Sequence, residues 1–105
     1  MTDTVVVLCT FTNEEEALRI GSALVEARLA ACVNLLPGIR SIYRWKGEIQ
    51  YSDEALLLVK TTQQGFPALR DRIKKLHPYD TPEIIAVPVI DGLADYLGWV
   101  REQVS

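Results

Sequence analysis

Three stretches of the chain are apolar at successive positions rather than at alternate ones, and they span residues 4–10, 55–62 and 84–90. Each stretch is rich in β-branched side chains, which fit a pleated strand better than a helix. A continuous apolar run of this length is typical of a strand that is buried on both faces. The pattern therefore predicts three strands that are apolar on both faces.

Three further segments carry apolar residues at the helical spacing of three or four. The first helix is predicted to begin at Asn13, because Asn13 and Glu16 form a capping-box pattern. The glutamates at 14–16 lie in its first turn, where the helix dipole favours negative charge, so capping explains them better than a cation site. The second helix has Pro67 in its first turn and ends before Pro78. The predicted apolar stripes are Ala17, Ile20, Gly21, Leu24 and Ala27 in the first helix, Phe66, Leu69, Ile73 and Leu76 in the second, and Leu93, Tyr96, Leu97 and Val100 in a third.

A β-hairpin is predicted between the two helices. Residues 31–36 and 39–45 have strand-like composition on either side of Pro37-Gly38, and residues 48–51 begin the return strand. Lys46-Gly47 forms the turn, since glycine supplies a positive φ. The arm carries three aromatic residues toward its tip: Tyr43, Trp45 and Tyr51. Aromatic residues at a protruding tip are typical of a protein interface.

The order of elements predicts an α+β ferredoxin-like sandwich, βαββαβ with an additional C-terminal helix, in one domain over residues 1–105. The two crossover helices of that fold cover only one face of the sheet. Each exposed side chain on the other face would forgo about 1.5–3 kcal/mol of burial energy. We therefore expect a second subunit to cover that face in an obligate oligomer.

Composition narrows the classes of partner. The chain is 49% hydrophobic and 24% charged with a net charge of −3, which fits a globular protein and argues against a nucleic-acid surface. No apolar run reaches the roughly 20 residues of a membrane span. The first residues lack a secretory signal, so we expect a cytoplasmic protein in which Cys9 and Cys32 are reduced.

Residues 77–83, His-Pro-Tyr-Asp-Thr-Pro-Glu, contain the only histidine of the chain. In a ferredoxin-like sheet the first and last strands are antiparallel neighbours, so Cys9 at the end of the first strand can approach His77. A thiolate and an imidazole suit copper or zinc, and copper(II) heads the divalent affinity order. Two ligands are too few for a closed tetrahedral site, although Asp80 or Glu83 can add an oxygen. The residues themselves favour the structural alternative, with His77 at a helix C-terminus and Cys9 in the core.

The sequence gives weaker indications of other binding sites and of catalysis. Lys60 lies in an apolar strand and needs a partner, either a carboxylate such as Glu83 or an anionic ligand held between subunits. Tyr43 and Trp45 are either interface anchors or the wall of a small-molecule pocket. A Cys/His nucleophile would need a lowered thiol pKa and an oxyanion site, for which the sequence gives no sign. We therefore expect no enzymatic activity.

The sequence resembles the CutA family, small proteins named for divalent-cation tolerance. Three segments carry the resemblance: Val5-Val6-Val7-Leu8-Cys9-Thr10, Tyr43-Arg44-Trp45-Lys46-Gly47-Glu48, and residues 77–83 followed by a strand and Asp95-Tyr96-Leu97-Gly98-Trp99. The resemblance implies a ferredoxin-like homotrimer with interlocked hairpins, similar to the P-II signalling trimers. It also implies a cytoplasmic role linked to copper and other divalent metals, with no assigned reaction. Cys9 and His77 match copper ligands proposed in the family, and Leu76 stands where the family has a second histidine.

Three functions follow as hypotheses. The first is a cytoplasmic homotrimer that binds copper(II) or other divalent cations through Cys9 and His77, without turnover and without an organic cofactor. The second is a P-II-like signalling trimer with a small anionic ligand between subunits, although the chain has no glycine-rich phosphate loop. Its candidate pocket residues are Trp45, Lys60, Tyr79 and Glu83. The third is an assembly module whose trimer is its function.

Overall fold

Four antiparallel strands and three helices make up residues 2–105, the part of the chain that the structure, a computed structural model, describes. The elements are β1 (Thr4–Phe11), α1 (Glu14–Glu26), β2 (Cys32–Trp45), β3 (Glu48–Thr62), α2 (Phe66–Leu76), β4 (Ile84–Pro88) and α3 (Ala94–Gln103). The strands form one sheet in the order β2-β3-β1-β4. The predicted α+β class is confirmed. Within the described residues, no helix is long and apolar enough to cross a membrane.

The start of α1 is confirmed, but only half of the capping box forms. The Asn13 side chain accepts a hydrogen bond from the Glu16 backbone N–H at 2.8 Å, which satisfies one of the free donors of the first turn. The Glu16 carboxylate does not return the contact, and its Oε1 is buried without a hydrogen-bond partner. The predicted apolar stripe is wrong at Ala27, which is the exposed C-cap of the helix and not part of its buried face.

The hydrophobic core lies between one face of the sheet and the two crossover helices. The sheet contributes the odd-numbered side chains of β1 and β3, because alternate residues of a strand point to the same face. These buried residues are Val5, Val7, Cys9 and Phe11 of β1 and Ala55, Leu57 and Val59 of β3, packed on Ala17, Ile20 and Leu24 of α1 and Leu69 and Ile73 of α2. This packing fixes the ends of β1 and α2, where the candidate ligands lie.

The opposite face of the sheet, which we call the open face, is apolar and only partly covered. The side chains on it include Val6 and Leu8, which are half-buried, and Leu36, Ile85 and Val87, which are exposed by 41%, 51% and 44%. Helix α3 packs on β3 and β1 and buries its own Leu97 and Val100. One chain therefore leaves several large apolar side chains on this face in contact with solvent.

The hairpin differs from its prediction in its first strand, because β2 is one continuous strand of 14 residues; the return strand β3 has 15 residues. The predicted interruption at Pro37-Gly38 is a β-bulge: Leu36 pairs with Leu56, and the next pair is Ile39 with Glu54. Gly38 adopts a φ of +71°, a conformation that glycine tolerates best. A bulge absorbs one extra residue and so changes which side chains share a face.

One further strand boundary is corrected. Strand β4 ends at Pro88 rather than at residue 90, since proline has no N–H for the ladder. Val89 continues only through isolated hydrogen bonds with Thr2 and Thr4.

Candidate functional site

The ring of His77 joins the end of α2 to the end of β1. Its backbone N–H donates to the Ile73 carbonyl at 2.8 Å, which ends the helix, and its ring stacks on Phe11 at a centroid distance of 4.6 Å. Nδ1 accepts from the Tyr79 backbone N–H at 3.1 Å. The ring proton therefore sits on Nε2, which donates to the Thr10 carbonyl at 2.7 Å. Both ring nitrogens are engaged within the chain.

Cys9 lies at the same end of β1, directly before Thr10, and it is fully buried on the helix-facing side of the sheet. Its Sγ lies 4.0 Å from the Thr10 carbonyl oxygen, at the limit of a weak hydrogen bond. Burial raises the pKa of the Cys9 thiol to about 12, with smaller contributions from the charges of Glu83 and Glu54. The thiol is therefore held in its neutral form near neutral pH, whereas a metal ligand must be the thiolate.

The structure thus brings Cys9 and His77 to one end of β1 but does not present them as a finished metal centre. Within residues 2–105, no three side chains of the His, Cys, Asp and Glu types are grouped so that they could hold a metal ion. Binding at His77 would first have to release the Tyr79 N–H or the Thr10 carbonyl. The role of this pair as metal ligands stays a prediction.

The raised pKa of Cys9 predicts a loss of stability in alkali. The ordinary thiol pKa is about 9, so between pH 9 and pH 12 the unfolded chain releases this proton while the folded chain keeps it. The unfolding free energy then falls as pH rises. In urea unfolding, Cys9→Ala is less stable than the native protein at pH 8, and we expect that difference to shrink by pH 11. The neighbouring Val7→Ala, which cannot titrate, serves as control, and an equal shrinkage in both variants would contradict the prediction.

A cavity of about 470 Å³ opens on the other side of Thr10. It lies where the hairpin arm, the end of β1 and the 77–83 segment meet. Its wall consists of Thr10, Ser41, Ile42, Tyr43, Trp45, Glu54, Tyr79, Asp80, Thr81 and Glu83. The bulge at Pro37-Gly38 is what places Ser41, Tyr43 and Trp45 on the same face as Glu54. We call this cavity, with its three carboxylates, the acidic cavity.

Two side chains that line the acidic cavity, Glu54 and Tyr79, are joined by a hydrogen bond. Glu54 is only 9% exposed, and its Oε2 accepts from the Tyr79 hydroxyl at 2.7 Å. Burial is the main cause that raises the pKa of Tyr79 to about 12, so the phenol stays a donor to the carboxylate. Partial burial, followed by the charge of Glu54, raises the pKa of the exposed Glu83 carboxyl. Two carboxylates therefore repel each other across this wall.

Three of the four predicted pocket residues meet in this cavity: Trp45, Tyr79 and Glu83. Lys60 is not part of its wall, and the predicted Lys60–Glu83 ion pair is wrong within one chain. Lys60 lies opposite Val6, which in turn lies opposite Val87, four residues beyond Glu83. At about 3.3 Å per residue, this register separates the two positions by roughly 13 Å along the sheet. The ion pairs found in residues 2–105 are Arg40–Asp53, Arg70–Asp71 and Arg101–Asp3.

Glu54, Thr10 and Ser41 belong to the cavity but were not predicted from the sequence. The signal for Glu54 and Ser41 was the polar composition of the hairpin arm, which on its own suggests only a solvent-exposed strand. Nothing in the sequence indicated Thr10, because its bond to His77 is made by its backbone carbonyl, which every residue has.

Comparison with known proteins gives consistent matches over nearly the whole chain. Residues 5–103 match the family model described as CutA1 divalent ion tolerance protein. The chain is 58% identical over 97 residues to the divalent-cation tolerance protein CutA of Thermus thermophilus, covering 92% of this chain and 94% of that protein.

Two solved structures are similar throughout. The divalent cation tolerance protein from Thermus thermophilus superimposes with a TM-score of 0.95 at 55% identity, covering 97% of this chain and 99% of that one. The protein from Archaeoglobus fulgidus, described as a periplasmic divalent cation tolerance protein CutA, superimposes with a TM-score of 0.94 at 40% identity, covering 97% and 99%. The four-stranded antiparallel sheet with three helices is therefore shared with these proteins.

Proposed function

Because the chain belongs to the CutA1 divalent ion tolerance family, we propose that it binds divalent metal ions, with copper(II) as the first candidate, and that it catalyses no reaction. Copper(II) is the first candidate because it binds most tightly of the divalent first-row metals to nitrogen, oxygen and sulfur ligands. The proposed site comprises the carboxylates of the acidic cavity, with Cys9 and His77 directly behind it at Thr10.

The observation that carries the proposal is the negative charge of the acidic cavity. Glu54, Asp80 and Glu83 line it, and among residues 2–105 no Lys or Arg belongs to its wall. The mutual repulsion of Glu54 and Glu83 is relieved when a cation binds between them. The same charge disfavours the alternative of a P-II-like site for a small anion, and Lys60, its predicted partner, lies elsewhere on the sheet.

We further propose that the functional unit is a homotrimer in the P-II-like arrangement, built from ferredoxin-like subunits. The strand order β2-β3-β1-β4 supports the subunit fold, and the apolar open face supports the assembly. A neighbouring subunit would also supply the ligands that one chain lacks. The free thiols Cys9 and Cys32 are compatible with a cytoplasmic location, although the similar Archaeoglobus protein is described as periplasmic.

Metal binding is tested by titration calorimetry with copper(II). We expect saturable binding that Glu83→Gln weakens about tenfold or more, because a carboxylate ligand becomes a neutral amide. Glu102→Gln on α3, an equally conservative change away from the cavity, is expected to bind copper(II) like the native protein. Absence of saturable binding, or equal binding by both variants, would contradict the proposed site.

A further inference from the structure

The hairpin arm, residues 39–54, has little support from the sheet of its own subunit. Its two strands pair only with each other, because the pairing of β3 with β1 ends at Ala55 and Phe11. A two-stranded ribbon on its own is only marginally stable in water. Large apolar side chains of the arm, such as Ile42 and Tyr51, are exposed. The direction in which the arm leaves the sheet is therefore set at its base.

The base of the arm contains a point at which the ribbon can bend. The β-bulge places Pro37 and Gly38 of β2 opposite the single residue Ala55 of β3. A bulge bends its strand and interrupts the ladder locally. Gly38 adopts a positive φ and has open space beside it, so no side-chain packing stiffens this position. The backbone ladder therefore constrains the angle of the arm less here than in a regular sheet.

One side-chain hydrogen bond connects the arm to the body of the subunit. Glu54 is the last residue of the arm, and its Oε2 accepts from the Tyr79 hydroxyl at 2.7 Å. Glu54 is only 9% exposed, so little water competes for this bond. Within residues 2–105, the other side-chain hydrogen bonds and ion pairs of the arm join arm residues to each other: Tyr43 with Ser52, Arg44 with Gly47, and Arg40 with Asp53.

Tyr79 is itself fixed to the body by residues near the end of β1. Its backbone N–H donates to His77 Nδ1 at 3.1 Å, and its ring packs on the His77 ring at a centroid distance of 4.6 Å. The Thr12 hydroxyl lies 3.5 Å from the phenol oxygen. The Tyr79 hydroxyl therefore has a defined position, and Glu54 holds the arm against it.

From the bulge and this single connection, we propose that the Tyr79–Glu54 hydrogen bond is a strap that fixes the angle between the hairpin arm and the sheet. The strap prepares the subunit for assembly, because an arm that is already oriented loses less conformational freedom when a neighbour covers it. The preparatory role rests on the proposed homotrimer, whereas the fixed angle is a property of the single chain. Both partners of the strap belong to one subunit, so the bond forms before assembly and persists after it.

Residual dipolar couplings, measured by NMR, report the angle of the arm directly. Tyr79→Phe removes the hydroxyl and keeps the ring on His77. Tyr43→Phe is the matched control, because it removes a hydroxyl that bonds only within the arm. Both changes are made in Ile85→Glu, a substitution on the open face chosen so that no neighbour holds the arm. We expect the arm amides to share one alignment with the amides of β1 in the control, and to lose that alignment in Tyr79→Phe.

The preparatory role is tested in the chain that keeps Ile85. After dilution from urea, we expect Tyr79→Phe to recover the molar mass of the trimer about tenfold more slowly than Tyr43→Phe, because loss of a hydrogen bond to a charged group lowers the fraction of correctly oriented arms. Light scattering follows the recovery.

An unchanged alignment in Tyr79→Phe, or an equal loss of alignment in Tyr43→Phe, would overturn the strap. If Tyr79→Phe does not fold, Glu54→Leu takes its place, with Glu54→Gln as control because glutamine keeps an oxygen that accepts from the phenol. A lost alignment with an unchanged assembly rate would overturn the preparatory role and support the strap alone. If the native protein is a monomer, the trimer proposal fails, while the alignment measured in the native chain still decides the strap.

Discussion

Ile85→Glu is expected to convert the proposed homotrimer into folded monomers. Ile85 lies on the open face, on the edge strand β4, and is 51% exposed in one chain. A glutamate there stays hydrated in the monomer, so the subunit fold should survive. In a trimer that covers this face, three carboxylates would be buried without partners, at an estimated several kcal/mol each. Light scattering should then show an about threefold lower molar mass than for the native protein, with an unchanged circular dichroism spectrum.

The control is Leu18→Glu, the same change at a leucine that is 61% exposed on α1. Because α1 lies on the other side of the sheet, we expect this variant to keep the native molar mass. A native protein that is monomeric at micromolar concentration would contradict the trimer directly. Dissociation by Leu18→Glu but not by Ile85→Glu would place the interface on the helix layer instead.

The architecture could be predicted because the burial of a strand or of a helix face shows directly in its residue types. Residues 5–9 and 55–59 are apolar at every position because β1 and β3 lie in the middle of the sheet. The cap at Asn13 and the prolines around α2 likewise act locally, so their effect can be read without knowledge of the fold.

The hairpin and the cavity were harder to predict because they depend on pairing between distant residues. Pro37-Gly38 is equally typical of a strand end and of a bulge, and only the partner strand decides between them. That decision determines which arm residues face Glu54. The expected partnership of Lys60 with Glu83 failed for a similar reason, since sequence spacing gives no register between non-consecutive strands.

His77→Ala should lower the free energy of unfolding by about 3 kcal/mol. The change removes the ring that stacks on Phe11, and it leaves the Thr10 carbonyl and the Tyr79 N–H without their partners. An unpaired buried polar group costs about 1–3 kcal/mol, and the lost packing adds to this. Urea unfolding at neutral pH measures the effect. Lys75→Ala, two residues away at an exposed helix position, should stay within about 0.5 kcal/mol of the native protein.

The size of that effect decides how copper(II) binding by histidine variants can be interpreted. His77 holds the Tyr79 backbone, and Tyr79 in turn holds Glu54, so removal of the ring disturbs the acidic cavity even if His77 never touches a metal. Loss of copper(II) binding in His77→Ala therefore does not identify a ligand.

His77→Phe keeps the stacking on Phe11 without a metal-binding nitrogen. If His77→Phe is nearly as stable as the native protein, the hydrogen bonds of the ring contribute little and the stability prediction is wrong. If it loses about 2 kcal/mol yet still binds copper(II), the imidazole is structural and the carboxylates are the ligands.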